Sequence, residues 1–441
     1  MTATEHADQP SRAPADTAKQ GLVFPKMWVL FIVLICCFTA WGIAADLTTP
    51  MVAGFKRIFD MSTFQASLVQ LAYFGAYFLL AIPAAFINQR FGYKAGLLTG
   101  LLLAAVGAMA FYPASKIMTY EAFLVALFAI AAGCSILETS ANPYILSLGP
   151  EETATRRLNF AQAFNPVGTN IGVLLAATLI LPKLDEPVNM ANLSPAEVQA
   201  IRAGELGAVM GPYLGLGFVL IAIALVFAFQ KSPKVVEEYP PGDLEGQSPL
   251  KVLLSNKRYV FGVIAQFFNV AAQVCTWTYL IQYSQQALNG SLQLGGFLLQ
   301  VSLIVFLISR FVMTWVIGRV RATAVLAVLG ALAVLLCIFA MFSPNMAGVV
   351  ALVAVSFCLS LMFPTIYGVA LKGLGPATKF GAAGLVMAIV GGAIMPLIQG
   401  RLLDATSPAI SFVVPAVCFA VVTSFALFDL NAEPNPVGER A

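Results

Sequence analysis

An acidic side chain, Glu138, stands in a long apolar stretch with the sequence GCSILETSANPYIL at positions 133–146. The amide of Asn142 follows four residues later and shares a helix face with the carboxylate. A charge at such depth in a bilayer costs about 2.5–3.5 kcal/mol, so it needs a wet cavity or a partner. A carboxyl group there can bind and release a proton, and the amide beside it can hydrogen-bond a polar solute.

Polar side chains also recur every three or four residues in two further apolar stretches. The two sets are Gln162, Asn165 and Thr169, and Gln266, Asn269, Gln273 and Trp277. Three helices with one polar face each predict an aqueous cavity, because the lipid would reject these groups. Amides, a carboxylate and indole rings are also the groups that hydrogen-bond and stack on a sugar. The alternative is that the amides join neighbouring helices.

Three more residues complete the set of candidates. Asp46 is a second acid within an apolar stretch, and Phe363 is an aromatic that either contacts a substrate or simply packs. Arg310 is the obvious cationic partner for the buried acids, and it either ties spans together or binds substrate. Because His6 is the only histidine, any proton that crosses this protein must be carried by carboxylates.

The composition determines the class of protein. Apolar residues make up 59% of the 441 residues and charged residues 10%, whereas soluble domains carry about 25% charged residues. Several stretches exceed the roughly 20 apolar residues that cross a bilayer, so a multi-span helical membrane protein is predicted. The seven cysteines form no CxxC pair, and the sequence contains no metal-ligand cluster or nucleophile–base pair. We therefore expect no enzymatic activity, no metal and no nucleic-acid partner.

Charge, Gly/Pro clusters and apolar length predict twelve spans. Their bounds are 27–54, 64–88, 94–113, 121–148, 157–182, 211–231, 257–284, 292–318, 322–342, 346–372, 378–401 and 408–430. A linker at 232–256 separates two six-helix bundles, 27–231 and 257–430, with tails at 1–26 and 431–441. This all-α pattern is typical of transporters with a substrate site between two halves.

Three local features refine this pattern. Basic residues are concentrated in alternate loops and in the central linker, which predicts that both termini are cytoplasmic. The segment between spans five and six is expected to be a long, net acidic outer loop. The sequences FNPVGTNIG and FPTIYG are expected to flex, because Pro166 and Pro364 each remove a backbone donor.

Four segments resemble L-fucose:proton symporters of the fucose–galactose–glucose branch of the major facilitator superfamily. They are ADLTTPM, LETSANPYILSLGPEETATRRLNFAQAFNPVG, AQFFNVAAQVCTWTYLIQY and SLMFPTIYGVALKGLGPATKFGAAGLVMAIVGGAIMPLIQG. The resemblance extends from about Phe31 to Phe428. It implies twelve helices in two bundles, alternating access, and proton-coupled sugar uptake across a bacterial inner membrane. The sequence NQRFGYK at 88–94 departs from the superfamily pattern, which usually has an aspartate before its basic residue.

The resemblance also implies roles for individual residues. Asp46 matches a carboxylate of span one that takes part in proton coupling, and Glu138 matches one that links sugar binding with protonation. Asn165 matches a sugar-contacting asparagine, with Gln162 one turn before it. Gln273 matches fucose permeases, whereas SLMFPTIY is more similar to glucose/galactose members.

The sequence therefore predicts a proton-coupled monosaccharide importer with L-fucose as the leading substrate. Asp46 and Glu138 are the expected proton-coupling residues. The expected substrate contacts are Glu138, Asn142, Gln162, Asn165, Asn269, Gln273, Trp277 and Phe363. The expected partners are the sugar and the lipid bilayer, the functional unit is a monomer, and the proton is the coupling ion with no cofactor. The alternatives are a glucose/galactose or N-acetylglucosamine transporter of the same family, and an exporter or antiporter on the same scaffold.

Overall fold

The computed structural model describes residues 21–58, 63–180, 194–230 and 248–432, which are almost entirely helical. Most of both predicted tails and most of the predicted linker at 232–256 lie outside the described residues. The side chain of Asp46 also lies outside them, although its backbone belongs to the first helix.

Seventeen α-helices follow one another along the described part of the chain. They are α1 Trp28–Ile58, α2 Thr63–Met109, α3 Phe111–Ile117, α4 Tyr120–Leu146, α5 Ala154–Gln162, α6 Asn165–Leu175, α7 Pro195–Phe229, α8 Pro249–Ser255, α9 Lys257–Leu288, α10 Leu292–Val316, α11 Ala322–Phe342, α12 Met346–Leu359, α13 Met362–Leu371, α14 Thr378–Met387, α15 Gly391–Ala405, α16 Pro408–Ser411 and α17 Val413–Asn431. Short 3₁₀ turns and one π-helical turn connect several of them.

Helix α2 is two spans joined at Gly92, whose φ of 82° and ψ of 166° are not helical. Forty-seven residues of continuous helix would extend about 70 Å, more than twice the hydrocarbon core. The two arms instead lie against the same turns of α4. Ser135 donates a hydrogen bond to the Tyr77 carbonyl of the first arm, and a Cβ on Gly100 of the second arm would lie 2.7 Å from the Leu137 nitrogen.

The number of spans follows from this break. The described residues contain eleven helical segments long and apolar enough to cross a membrane, and Ala72–Ile117 is one of them. Division of that segment at Gly92 gives the twelve crossings that the sequence predicts. They form two six-helix bundles, here called the N-terminal and the C-terminal half.

Both predicted flexing points are helix breaks. Helix α5 ends at Gln162 and α6 begins at Asn165, just before Pro166. In the second half, α12 ends at Leu359 and α13 begins at Met362, two residues before Pro364. Each break precedes its proline because the ring clashes with the preceding turn and offers no N–H.

The prediction of a loop before span six is wrong for residues 195–210, which are helical. Helix α7 begins at Pro195, sixteen residues before the predicted start at 211. A capping box forms this start: the Ser194 hydroxyl accepts from the Glu197 amide, and the Glu197 carboxylate accepts from the Ser194 amide at 2.8 Å. The hydrogen bonds from Ser194 hold the pKa of the Glu197 carboxyl below its ordinary value.

The basic loops meet at one end of the molecule, called here the basic end. The contacts that join them are Arg157 with Leu22, Lys94 with Gln230, Arg156 with Gly318, Lys379 with Tyr93, and Arg258 and Arg321 with Asp429. One apolar cluster fills the N-terminal half and continues into residues 363–389 of the C-terminal half, so the halves are packed together. A second cluster fills the rest of the C-terminal half.

Candidate functional site: a buried carboxylate between two polar helix faces

Glu138 lies in a segment of α4, residues 130–145, in which every residue is buried. Its side chain is 1% exposed, and Asn142 one turn later is fully buried. Neither carboxyl oxygen of Glu138 has a hydrogen-bond partner among the described residues. The Asn142 amide and the Arg310 cation act on it electrostatically, and it lies close enough to Tyr77 and Tyr367 to act on their hydroxyl groups. Such a group is ready to exchange a proton or to bond a polar ligand.

The helix break at Pro166 shapes the polar group beside Glu138. Gln162 is the last residue of α5, and its Nε2 donates to Asn142 Oδ1 at 2.8 Å. In a continuous helix the Gln162 carbonyl would accept from residue 166, but proline has no N–H. Arg310 of the C-terminal half takes that place, because its Nη1 donates to the Gln162 carbonyl at 2.7 Å.

Arg310 is therefore a buried cation that bridges the two halves. It is 6% exposed, and its guanidinium carbon lies 4.7 Å above the Phe306 ring. It interacts electrostatically with Glu138 but forms no ion pair with it, because its described partner is the Gln162 carbonyl. The expectation that Arg310 ties spans together agrees with this contact.

The second proline of the site, Pro143 in α4, leaves the carbonyl of Thr139 without its helical donor. Asn88 Nδ2 lies 3.4 Å from this oxygen. Its Oδ1 accepts from the Ser140 hydroxyl at 2.9 Å. Asn88 is the first residue of the unusual 88–94 sequence. Its side chain joins α2, four residues before the break at Gly92, to the turn of α4 that follows Glu138.

Two predicted residues of the N-terminal half lie at the contact between α1 and α6. Asn165 is half-buried, and its Nδ2 lies 3.4 Å from the Phe38 carbonyl. The helices touch backbone to backbone here, since a Cβ on Gly42 would meet the Asn165 carbonyl oxygen at 2.1 Å. Asp46 follows Gly42 by one turn, and its side chain lies outside the described residues.

The C-terminal half contributes a chain of neutral groups. Trp277 Nε1 donates to the Ser356 hydroxyl at 3.0 Å, and that hydroxyl lies 2.6 Å from the hydroxyl of Ser302. The Trp277 ring packs edge-on against Phe306 at 5.1 Å. Since Phe306 also lies under the Arg310 guanidinium, the indole is connected by packing to the bridge between the halves.

Two amides in the middle of α9 are buried. Gln266 and Asn269 are 0% and 1% exposed, and neither side chain has a hydrogen-bond partner among the described residues. Val270, next to Asn269, packs in the cluster that fills the N-terminal half. Gln273 is half-buried. A buried amide without partners is costly unless a ligand or water completes it.

Tyr367, which stacks on Phe363, is a residue near Glu138 that the sequence reasoning missed. Phe363 is 9% exposed and stacks on Tyr367 with ring centroids 6.1 Å apart. The Tyr367 hydroxyl is buried without a described partner and interacts electrostatically with Glu138. The two aromatics are four residues apart on one helix face, so their spacing is the signal that could have identified Tyr367.

Residues 30–390 match the family model of the Major Facilitator Superfamily. The chain is 39% identical over 414 residues to the L-fucose-proton symporter of Haemophilus influenzae, covering 91% of this chain and 96% of that protein. It is 36% identical over 420 residues to the Escherichia coli L-fucose-proton symporter, covering 93% and 95%. It is 33% identical over 398 residues to a glucose/galactose transporter of Brucella abortus, covering 89% and 92%.

Two solved structures have the same fold as this chain. The crystal structure of a Major Facilitator Superfamily transporter, FucP, in the outward conformation matches with a TM-score of 0.85 and 35% identity, covering 91% of this chain and 98% of that one. A proton:xylose symporter, XylE, shares the fold alone, with a TM-score of 0.71 at 11% identity.

The family model, the relatives and the solved structure show that this twelve-span protein is a membrane transporter rather than an enzyme. The chain belongs to the Major Facilitator Superfamily, in the group that contains L-fucose-proton symporters and glucose/galactose transporters.

Proposed function

We propose that this protein is a proton-coupled symporter that imports a monosaccharide across the bacterial inner membrane by alternating access. L-fucose is the leading candidate substrate. One observation carries the proposal. Glu138 is a buried carboxyl group with no described hydrogen-bond partner, beside the Asn142–Gln162 amide pair. It occurs in a chain 39% identical to an L-fucose-proton symporter.

The two halves would hold different parts of the sugar. On the N-terminal side, Glu138, Asn142, Gln162 and Asn165 offer oxygens and amides for hydroxyl groups. On the C-terminal side, Asn269 and Gln273 offer amides. A sugar ring can also stack on the faces of Trp277 and Phe363. Hydrogen bonds to a sugar would complete Asn142 Nδ2 and both polar atoms of the Asn269 amide, which have no described hydrogen-bond partners.

Coupling would arise because sugar and proton favour the same inward transition. Burial disfavours the charged form of a carboxyl group, so Glu138 would hold a proton while it is enclosed. Asp46 would lie on the route by which this proton enters. When the halves rock, the proton and the sugar would leave together, and the linkage between the two ligands is reciprocal.

The basic end is the proposed cytoplasmic side. Its loops carry Arg157, Arg258, Arg321 and Lys379, in keeping with the tendency of cytoplasmic loops to carry the positive charge. Both termini would then be cytoplasmic. The functional unit would be a monomer, because each chain supplies both halves of the site.

The test is a recording of external pH around tight liposomes that contain the purified protein in weak buffer. L-fucose added outside should make the external medium alkaline, because each imported sugar removes a proton from it. D-galactose, D-glucose and N-acetylglucosamine are added in parallel, and liposomes without protein serve as the control. Absence of any pH change with all four sugars would reject sugar–proton symport.

A second candidate substrate is glucose or galactose, because the chain is 33% identical to the glucose/galactose transporter of Brucella abortus. Alkalinisation with one of these sugars but not with L-fucose would keep the mechanism and change the substrate. A pH change of opposite sign would instead indicate an antiporter.

A further inference from the structure

Tyr367 of α13 is a buried side chain of the C-terminal half that packs into the N-terminal half. It is 0% exposed and belongs to the apolar cluster that fills the N-terminal half. Residues on either side of it touch α5. Asn159 Nδ2 donates to the Thr365 hydroxyl at 3.2 Å, and a Cβ on Gly368 would lie 2.9 Å from Thr155 Oγ1. The backbone around Tyr367 is therefore held against the N-terminal half on both sides.

The phenol hydroxyl of Tyr367 lies in the same buried group as the Glu138 carboxyl. The carboxyl acts electrostatically on the hydroxyl, and the Asn142 amide acts on both. Asn142 Oδ1 accepts from Gln162. Within the described part of the chain, the Tyr367 hydroxyl, both Glu138 oxygens and Asn142 Nδ2 have no hydrogen-bond partner. A donor and its potential acceptors are thus enclosed together without bonds, which is costly unless a change of state joins them.

Three other titratable groups of the described residues interact with Glu138: Cys134 on its own helix, Tyr77 of α2 and Arg310 of α10. Tyr77 belongs to the same half as Glu138, and its hydroxyl accepts from Trp41 Nε1 at 2.7 Å. Arg310 donates to the Gln162 carbonyl instead. Among these described groups, Tyr367 is therefore the one neutral donor that reaches Glu138 from the opposite half.

Helices α1, α3, α5 and α14 also pack against α4. The described charged side chains on these helices are not among the groups that act on Glu138. Lys116 of α3 and Lys379 of α14 each lie over a tyrosine ring, and the two arginines of α5 belong to the contacts of the basic end. The side chain of Asp46 in α1 lies outside the described residues.

The protonation state of Glu138 determines how strongly Tyr367 can bond to it. A phenol O–H donates, an ionised carboxylate accepts on either oxygen, and a bond to a charged acceptor is roughly twice as strong as a neutral one. The last torsion of a glutamate side chain is broad, so the carboxylate can turn onto a donor already within electrostatic reach. Because the two residues belong to different halves, a bond to the anion stabilises the present arrangement of the halves.

We propose that Tyr367 is the residue through which the C-terminal half responds to the charge of Glu138: its hydroxyl donates a hydrogen bond to the deprotonated carboxylate and releases it on protonation. The bond holds the halves in this arrangement until a proton binds. The pairing of the two side chains requires only the contact between the halves, whereas its effect on sugar uptake rests on the proposed function. The two parts can therefore fail separately.

The pairing is tested by infrared difference spectroscopy between acid and alkaline pH on the full chain in phosphatidylcholine nanodiscs. The C=O stretch of the protonated Glu138 carboxyl is the band that Glu138→Gln removes. Tyr367→Phe keeps the ring that stacks on Phe363 and removes the hydroxyl. The band should then titrate about one pH unit higher, because an anion that loses a hydrogen bond takes up a proton more readily.

Tyr283→Phe is the matched control. Tyr283 is also buried in the C-terminal half, but its hydroxyl donates to the Ala340 carbonyl at 2.7 Å. This variant should lose thermal stability and leave the titration of Glu138 unchanged. Tyr367→Phe should keep its stability at a pH where Glu138 is protonated, because the hydroxyl then has no described bond to lose.

Four results would overturn the pairing. They are an unchanged midpoint in Tyr367→Phe, a midpoint moved to lower pH, an equal shift in Tyr283→Phe, and the absence of any titrating band that Glu138→Gln removes.

The effect on transport is measured as the pH dependence of L-fucose uptake into liposomes. On the alkaline side, the pH of half-maximal uptake should move in Tyr367→Phe in the same direction as the infrared band, and it should not move in Tyr283→Phe. An infrared shift with an unmoved uptake profile would reject the link to transport. An infrared shift in a protein that transports no sugar would keep the pairing and reject the proposed function instead.

Discussion

The polar groups of the two halves differ in kind. In the N-terminal half, the group around Glu138 contains a carboxyl group that can change its charge, with the amide pair of Asn142 and Gln162 beside it. In the C-terminal half, Trp277 and Ser356 form a chain of neutral hydrogen bonds that no pH change within the normal range would alter. The charge of the first group can therefore change with protonation, whereas the second group stays neutral.

Arg310 gives this difference a mechanical meaning. It belongs to the C-terminal half, yet its described hydrogen bond goes to the Gln162 carbonyl of the N-terminal half. Its charge acts on Glu138 without an ion pair. A change in the charge of Glu138 therefore alters the force between the halves, because a buried cation responds strongly to a nearby buried charge.

The strongest test of the comparison is Glu138→Gln, which keeps the shape and removes the titratable proton. Sugar should no longer accumulate above its external concentration, a loss of the whole gradient, because no proton moves with it. Exchange of labelled L-fucose across the membrane should survive, since glutamine imitates the protonated carboxyl group. Net uptake and exchange in the same liposomes give the two measurements. Accumulation at wild-type levels would show that Glu138 is not the coupling residue.

A second test concerns the packing that positions the N-terminal group. Gly42→Ala should destabilise the protein by about 1–3 kcal/mol, because the new Cβ would meet the Asn165 carbonyl oxygen at 2.1 Å. Gly75→Ala is the matched control, since nothing lies within 4 Å of a Cβ there. Thermal unfolding in detergent measures both. A Gly42→Ala protein as stable as Gly75→Ala would show that α1 and α6 can separate without cost.

The third test asks whether the amides of the C-terminal half bind sugar or join helices. Asn269→Leu removes two buried atoms that have no described partner, so stability should hold or rise. Sugar affinity should fall about 2- to 10-fold, equivalent to one neutral hydrogen bond. Thr276→Val on the same helix is the control, because its hydroxyl bonds the Ala272 carbonyl of its own helix. A loss of stability with unchanged affinity would favour helix joining.

Sequence patterns predicted most of this architecture for definite reasons. Apolar length and charge determine where a span can lie, so the twelve crossings were predictable, and proline chemistry located the breaks before Pro166 and Pro364. Proline also predicts which carbonyl loses its donor. It does not predict that Arg310, 148 residues away, replaces that donor at Gln162, because long-range partners depend on how the halves pack.

The two features that the sequence did not predict, the early start of α7 and the proximity of Tyr367 to Glu138, also depend on specific contacts. The early start of α7 depends on a local capping box, which hydropathy does not register because Ser194 and Glu197 are polar. Tyr367 was missed because a tyrosine in an apolar stretch is equally compatible with ordinary packing. In both cases a specific hydrogen bond or charge decides the outcome, whereas composition reports only average burial.

The smallest expected effect also compares the two halves. The final membrane crossing of each half begins at a Ser–Pro pair, Ser194–Pro195 at the start of α7 and Ser407–Pro408 at the start of α16, which leads into α17. Either Ser→Ala substitution should weaken the first turn by about 0.5–1 kcal/mol. The N-terminal cap also uses the Glu197 carboxylate, whereas the described cap of Ser407 is a hydroxyl that accepts from the Ile410 amide at 3.3 Å. The two caps should therefore respond differently to pH.

The sign of this difference follows from the lowered pKa of Glu197. A carboxyl group with a depressed pKa in the folded state stabilises its helix end above the unfolded pKa of about 4.3. This contribution is lost as the pH falls through the folded pKa. Hydrogen-exchange protection of the first turn of α7 should therefore fall in acid, while that of α16 and the start of α17 stays constant. Glu197→Gln should remove the pH dependence; equal acid sensitivity at both helix ends would show that the carboxylate of the capping box makes no contribution of its own.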